Sequence, residues 1–165
     1  MSLVKLLVIS GCIFSALAKP PPYAKEAQDL MKVFAGEMTL EKKYISLGSG
    51  GFYTDKKIDS FYIDFEVEGS LNEKEAEIAL KSAVETLVCL VNTRESVRPF
   101  LSTYPITEAQ VSVSLAFVDK KRAPVQGLSQ IHFDAGRVIY SSYNAQKKRY
   151  EPFIGAGQEA AQKVN

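Results

Sequence analysis

The chain has 165 residues, of which 46% are hydrophobic and 24% charged, and its 20 Lys and Arg nearly balance its 19 Asp and Glu. This composition excludes a disordered or fibrous chain and predicts a single globular domain, and the near-neutral charge excludes the broad basic surface of a nucleic-acid-binding protein. Two cysteines and one histidine exclude a disulfide-dense scaffold and a cysteine-based zinc cluster.

Residues 1–18 have the pattern of a secretory signal peptide. Lys5 supplies the positive start, residues 6–17 are almost continuously apolar, and Ala16-Leu17-Ala18 forms a small-x-small cleavage site. The apolar run spans about 12 residues, whereas a permanent transmembrane helix needs roughly 20. We therefore expect export to the periplasm or the medium, followed by cleavage after Ala18.

An alternative processing site is Cys12. The stretch Ile9-Ser10-Gly11-Cys12 resembles a lipobox, in which the cysteine is lipidated and becomes the new N-terminus. If cleavage instead follows Ala18, residues 19–165 remain as one α+β domain. Cys89 is then its single cysteine, so no intramolecular disulfide forms.

The first elements of this domain are predicted to be a helix and a short strand. Apolar residues recur every three or four positions from Tyr23 to Met38, which indicates an amphipathic helix. A strand is expected around residues 43–47, and Gly48-Ser49-Gly50-Gly51 is interpreted as a flexible turn. A phosphate loop is disfavoured because no Lys-Ser/Thr pair follows the glycines, although their backbone amides could still bind an anion.

The clearest strand begins at Asp59 and alternates strictly in polarity. Phe61, Ile63, Phe65 and Val67 would face a core, while Ser60, Tyr62, Asp64 and Glu66 would face water.

A long helix is predicted next, capped by Asn72 with Glu75 and ending near Val97, before Pro99. Its stripe of Leu80, Val84, Leu87 and Val91 would cover the sheet. Ile78 and Cys89 fall on the opposite side, and we expect either the first helix or a protein partner to cover them. Cys89 is then a buried structural cysteine, because the C-terminal half of an apolar helix does not favour a thiolate.

Strands are also predicted over residues 111–117, 128–133 and 138–143, with an edge strand at 150–153 and a terminal helix at 158–164. Asp134-Ala135-Gly136 would form a hairpin turn, because glycine readily adopts positive φ. The expected fold is therefore α+β, with an antiparallel sheet of about five strands and both helices packed on one face.

His132 is the first candidate for chemistry. Alternation places it on the polar face with Asp134, so the pair could act as a general base and its orienting carboxylate. Asp64 is a second candidate carboxylate, but no nucleophile is evident, and a solvated surface pair is the simpler interpretation. No metal-ligand spacing is present and no cofactor is expected.

Two basic tripeptides lie near predicted turns, Lys120-Lys121-Arg122 and Lys147-Lys148-Arg149. If the two turns meet at one end of the sheet, they would concentrate six positive charges that could bind anionic lipid, lipopolysaccharide or polysaccharide. The acidic residues are grouped elsewhere in the sequence, so a bipolar charge distribution is expected. They are Asp64, Glu66, Glu68, Glu73, Glu75 and Glu77.

The stretch after the long helix is the most distinctive in the sequence. Pro99 ends the helix and Pro105 fixes a second bend. The order Gly-Ser-Gly-Gly, alternating strand, long helix and Arg-Pro-Phe-Leu-x-x-Tyr-Pro-Ile-Thr resembles a family of small exported bacterial proteins of unassigned function, over about residues 40 to 120. This resemblance implies export and a single domain, and it assigns no catalytic residue.

Three functions are compatible with these patterns. The leading hypothesis is a non-enzymatic binding module that uses Tyr62, Asp64, His132 and the two basic tripeptides. A small hydrolase using His132 with Asp64 or Asp134 is one alternative, and an envelope assembly protein or lipoprotein subunit is the other. A concave, water-excluding pocket around His132 and a carboxylate would favour catalysis over binding on an open face.

Overall fold

A computed structural model describes residues 19–153 and 155. The signal-like segment and the terminal helix predicted at residues 158–164 lie outside the described residues. The helices are α1 (Pro22–Lys42) and α2 (Glu73–Thr93), and the strands are β1 (Ile45–Thr54), β2 (Lys57–Glu68), β3 (Val111–Val118), β4 (Gln130–Asp134), β5 (Arg137–Asn144) and β6 (Arg149–Phe153). No helix in this part of the chain is both long enough and apolar enough to cross a membrane.

The α+β prediction is confirmed, but the sheet differs from the one expected. It has six strands in the order β1 to β6, and β2 pairs with β3 in parallel, whereas all other neighbours are antiparallel. The parallel pair arises because α2 connects the two strands, and a helix of 21 residues is about 30 Å long and returns the chain to the end where β2 began. The sheet is therefore mixed.

Both helices pack on one face of the sheet, as predicted. Phe65, Leu115, Ile131 and Tyr140 lie in register across β2 to β5 and are buried against the helices. The ring of Phe34 in α1 meets Phe65 edge-on at 5.9 Å. Since α1 lies over β1 and β2 while α2 lies over β3 and β4, the two helices are side by side on the sheet.

This arrangement contradicts the expectation that the first helix covers the back of α2, whereas cover by a protein partner stays a prediction. Because α1 packs beside α2 rather than behind it, the side of α2 that points away from the sheet is in contact with solvent. Ile78 and Cys89 are both exposed, so the prediction of a buried structural Cys89 is wrong.

The glycine run is also placed differently from the prediction. Residues 48–51 lie within β1 and not in a turn. The rings of Tyr62 and Tyr53 lie against Gly50 and Gly51, respectively, and such aromatic cover compensates for the side chains that glycine lacks. The actual turn falls at Asp55 and Lys56, both with positive φ, which is typical of a tight hairpin.

The remaining local predictions differ only at their ends. Asn72 and Glu75 form the predicted reciprocal cap, with backbone-to-side-chain distances of 3.0 and 3.1 Å, although α2 ends at Thr93 and not near Val97. The β4–β5 hairpin turns at Ala135 and Gly136, with φ of 47° and 84°. Local capping and turn chemistry therefore act here as the sequence predicts.

Candidate ligand-binding site

The sheet face opposite the helices carries a polar cluster at the centre of the sheet. Pairing of β2, β3 and β4 places Asp64, Ser114 and His132 in one row across the strands. The adjacent row contains Tyr62, Ser112 and Asp134. Because alternate residues of a strand project to the same face, the two rows present six polar side chains together.

An open cavity of about 370 Å³ lies over this cluster. Its aromatic wall is formed by Phe52 and Tyr62, whose rings are tilted with centroids 5.4 Å apart. Phe52 comes from β1, so the glycine-containing strand supplies part of the site. The polar side chains that line the cavity are those of Ser60, Tyr62, Asp64, Gln110, Ser112, His132 and Asp134.

Hydrogen bonds orient the floor of the cavity. Gln130 donates through Nε2 to Ser114 Oγ at 2.7 Å, and Ser114 itself is buried. Ser112 Oγ lies 3.5 Å from His132 Nε2, which is a loose contact compared with a normal hydrogen bond. Cross-strand contacts therefore hold the serines of β3 in place between the groups of β2 and β4.

The two carboxylates of the cavity have different surroundings. Burial raises the pKa of Asp64, and the nearby charge of His132 and the Ser114 hydroxyl offset only part of that increase. Asp134 lies 3.8 Å from the Arg137 guanidinium, across the β4–β5 turn. Within the described residues, no three His, Cys, Asp or Glu side chains form a group that could hold a metal ion.

The structure brings Tyr62, Asp64 and His132 together, but it places the basic tripeptides elsewhere. Arg122 folds onto the far end of the same face, where its Nε and Nη2 donate to the two oxygens of Glu66 at 2.8 and 3.1 Å. That pairing joins the β3–β4 loop to β2 and leaves the end of the face with the cavity open.

The second basic tripeptide is also partly neutralised. Lys147 and Arg149 donate to the carboxylate of Glu151 at 2.9 and 3.1 Å. These bonds, together with one from Asn144, lower the pKa of Glu151 to about 2. Three of the six basic side chains, counting Arg122, are thus paired with carboxylates.

The charges do not separate into acidic and basic ends as the sequence suggested. Both basic turns lie at one end of the sheet, as hypothesised, because β3 and β5 run in the same direction. However, β2 runs parallel to β3 and brings Glu66 and Glu68 to that same end. Acidic and basic groups are therefore mixed there.

Ser112, Gln130 and Phe52 were not identified as site residues from the sequence. The alternation of β3 already places Ser112 on the polar face, but only strand pairing shows that it lies beside His132. Phe52 was missed because the glycines before it were interpreted as a turn.

Comparison with protein-family models, curated proteins and solved structures gives no significant match to this chain. The resemblance to small exported bacterial proteins therefore stays a prediction.

Proposed function

We propose that the protein is an exported bacterial binding module without enzymatic activity, and that its ligand lies in the cavity on the polar face of the sheet. The observation that carries this proposal is the cavity itself, in which polar side chains from β2, β3 and β4 converge beside the exposed ring of Phe52 and the partly buried ring of Tyr62. Its volume of about 370 Å³ falls in the range of small-molecule sites.

The chemistry of the lining favours a saccharide unit as ligand. Ionised Asp64 and Asp134 can only accept hydrogen bonds, whereas Ser112, His132 and Tyr62 can donate or accept. A sugar ring offers several hydroxyl donors on its edge and a C–H face that packs on aromatic rings such as Phe52. The expected partner is therefore a polysaccharide or one of its fragments.

The basic turns are the competing site for an anionic polymer or lipid. Half of their cationic groups are engaged by Glu66 and Glu151, which lowers the charge available to a ligand. An anion bound at the turns would also show strong salt dependence, whereas hydrogen bonds and ring contacts in the cavity would show little.

Glycan-array binding followed by NMR titration tests this assignment. With the best glycan from a panel of neutral and anionic oligosaccharides, Tyr62→Ala should raise the Kd at least tenfold. The matched control Lys120→Ala/Lys121→Ala should change it less than twofold. The reverse pattern, accompanied by loss of binding in moderate salt, would assign binding to the basic turns and contradict the proposal.

A hydrolase is the second candidate, and one contact favours it. The Ser112 hydroxyl lies beside His132, so the serine oxygen could bond to an ester carbonyl carbon while the imidazole accepts the hydroxyl proton. The ester C–O bond would then break, the alcohol would leave with that proton, and water would hydrolyse the acyl-serine. Such a pair normally needs a third group to orient the imidazole, and no described carboxylate hydrogen-bonds to His132. Hydrolysis of p-nitrophenyl acetate that is lost in Ser112→Ala, with folding unchanged, would establish the enzyme and overturn the binding-only assignment.

Export through residues 1–18 belongs to the same proposal. Intact mass of the protein isolated from expressing cells should correspond to a chain that begins at Lys19. An added acyl mass on Cys12 that disappears in Cys12→Ser would instead establish the lipoprotein route. An N-terminus at Met1 in the cytoplasmic fraction would contradict export.

A further inference from the structure

The charged side chains that line the cavity on the polar face are carboxylates. Its described lining contains Asp64 and Asp134 and neither a lysine nor an arginine. His132 is the one lining residue in this part of the chain that can become cationic, and a histidine side chain changes charge between about pH 5 and 8. At neutral pH and above, the cavity therefore favours a ligand that carries positive charge.

The carboxylates on the polar face differ in the partners that the protein gives them. Glu66 is buried and accepts hydrogen bonds from two nitrogens of Arg122. Asp134 has the Arg137 guanidinium at 3.8 Å. No described lysine or arginine forms an ion pair with Asp64, and Asp64 is exposed to the cavity. Asp64 is therefore the carboxylate whose charge is available to a ligand.

The groups around Asp64 compensate its charge only in part. Ser114 and His132 lie beside it in one row across the strands. Burial raises the pKa of Asp64 even though the Ser114 hydroxyl and the charge of His132 act in the opposite direction. A cationic group of a ligand beside this carboxylate would supply the compensation that the protein lacks.

The aromatic wall of the cavity also suits a cation. Tyr62 precedes Asp64 by two residues on the same face of β2, so the two residues are roughly 7 Å apart along the strand. A cation within about 6 Å of an aromatic ring is attracted to the face of that ring. A positively charged group bound to Asp64 would therefore lie near Tyr62, while the exposed ring of Phe52 stays free for the C–H face of a sugar.

We propose that the saccharide unit bound in this cavity carries a protonated primary amine, held by the carboxylate of Asp64 beside the aromatic wall. This inference rests on the proposed function, because it names the class of sugar for the same cavity. An ammonium group has three donors and no acceptor, so it complements a carboxylate in both hydrogen bonding and charge. An N-acetylated unit lacks this charge, and a carboxylated or sulfated unit would meet charge of its own sign. The ligand is thus an amino-sugar polymer or one of its fragments.

Three β-1,4-linked trimers that differ only at C2 test this assignment by calorimetric titration of the full chain at pH 7. The glucosamine trimer should bind at least fivefold more tightly than the N-acetylglucosamine and glucose trimers. Asp64→Asn should reduce this preference to less than twofold. The matched control is Asp134→Asn, which removes a carboxylate of the same cavity that already has Arg137 beside it and should leave most of the preference. Equal affinities of the three trimers for the native protein would overturn the proposal, as would a preference that disappears with Asp134→Asn and persists with Asp64→Asn.

The Tyr62→Ala variant, titrated with the same trimers, separates failure of this inference from failure of the proposed function. If the three trimers bind the native protein equally and Tyr62→Ala weakens all of them, the cavity is a saccharide site and the amine assignment is wrong. If no trimer binds, or if Tyr62→Ala leaves every affinity unchanged, both are overturned. Ethylamine at the concentration of the glucosamine trimer should not displace it. Displacement would show that an amine alone is recognised and would overturn the assignment to a sugar.

Discussion

The ring of Tyr62 lies directly over Gly50 of the neighbouring strand, and a Cβ at Gly50 would come within 2.9 Å of both the Cε1 atom and the hydroxyl oxygen of that ring. The glycine therefore makes room for the tyrosine that forms the aromatic wall of the cavity with Phe52. Gly48, on the same strand, has nothing within 4 Å of its hypothetical Cβ. A substitution at Gly48 is therefore the control for the same substitution at Gly50.

Gly50→Ala should displace the Tyr62 ring at only a small cost in stability. The added methyl group forces the outer end of the Tyr62 ring to move, at a cost of about 1 kcal/mol, the low end for overpacking because the ring can rotate. Urea unfolding should show this small loss, and the NMR signals of Tyr62 and Phe52 should shift. Gly48→Ala should leave the NMR signals unchanged and should not lower stability, because alanine reduces the entropy of the unfolded chain. A loss of stability equal to that of Gly50→Ala would contradict the role given to Gly50.

Asp64 should make stability depend on pH just above the ordinary aspartate range. Burial raises the pKa of Asp64 above its usual value of 3.8, so the folded protein retains a proton that the unfolded chain has lost. Stability contributed by this group is present below pH 3.8 and is lost as pH rises through the folded pKa. The stability of Asp64→Asn relative to the native protein should therefore increase over that window, as measured by urea unfolding at several pH values. A constant offset at all pH values would be inconsistent with this cause.

Asn92 should be required to hold the segment that contains Pro99 and Pro105 against α2. Its side chain donates to the Ile106 carbonyl at 3.0 Å and accepts from the Ile106 N–H at 2.9 Å, and Ile106 is buried. Asn92→Asp replaces the donor with an acceptor beside that carbonyl, so we expect a loss of about 2 kcal/mol. Thr93→Ala is the control, since the Thr93 hydroxyl bonds only within α2, and chemical denaturation should show little effect there.

Tyr140 should couple α2 to β5 through its hydroxyl, which donates to the carboxylate of Glu77. Tyr140→Phe keeps the ring in the core and removes this bond, so stability at neutral pH should fall by about 1 kcal/mol. Burial, with help from Glu77, raises the pKa of Tyr140 well above 10.0. The folded state therefore loses stability as pH rises above 10.

Thermal unfolding at neutral pH and above pH 10 measures both effects of Tyr140→Phe. The difference between this variant and the native protein should shrink in alkali. A difference that grows with pH would contradict the assigned cause.

Much of the secondary structure could be predicted because it depends on neighbours in the sequence. The alternation of Phe61, Ile63 and Phe65 defined β2, and the Asn72–Glu75 cap defined the start of α2. The same local rules failed at β1, where the glycines are stabilised by tyrosine rings from Tyr53 and from the neighbouring strand. They also failed at Cys89, because nothing local shows on which side of α2 the first helix packs.

The sequence alone determined the α+β class, the two amphipathic helices and the polar side of each central strand. These features follow from the spacing of apolar residues along the chain, about 3.6 residues in a helix and 2 in a strand. Only the tertiary structure decided that β2 and β3 are parallel, that Ser112 lies beside His132, and that Arg122 is held by Glu66. Those relationships depend on strand order and register, which are fixed by the burial of a shared core between residues far apart in the chain. The candidate site therefore depends on strand register, even though the alternation of β2, β3 and β4 already assigned Tyr62, Asp64, Ser112 and His132 to one face.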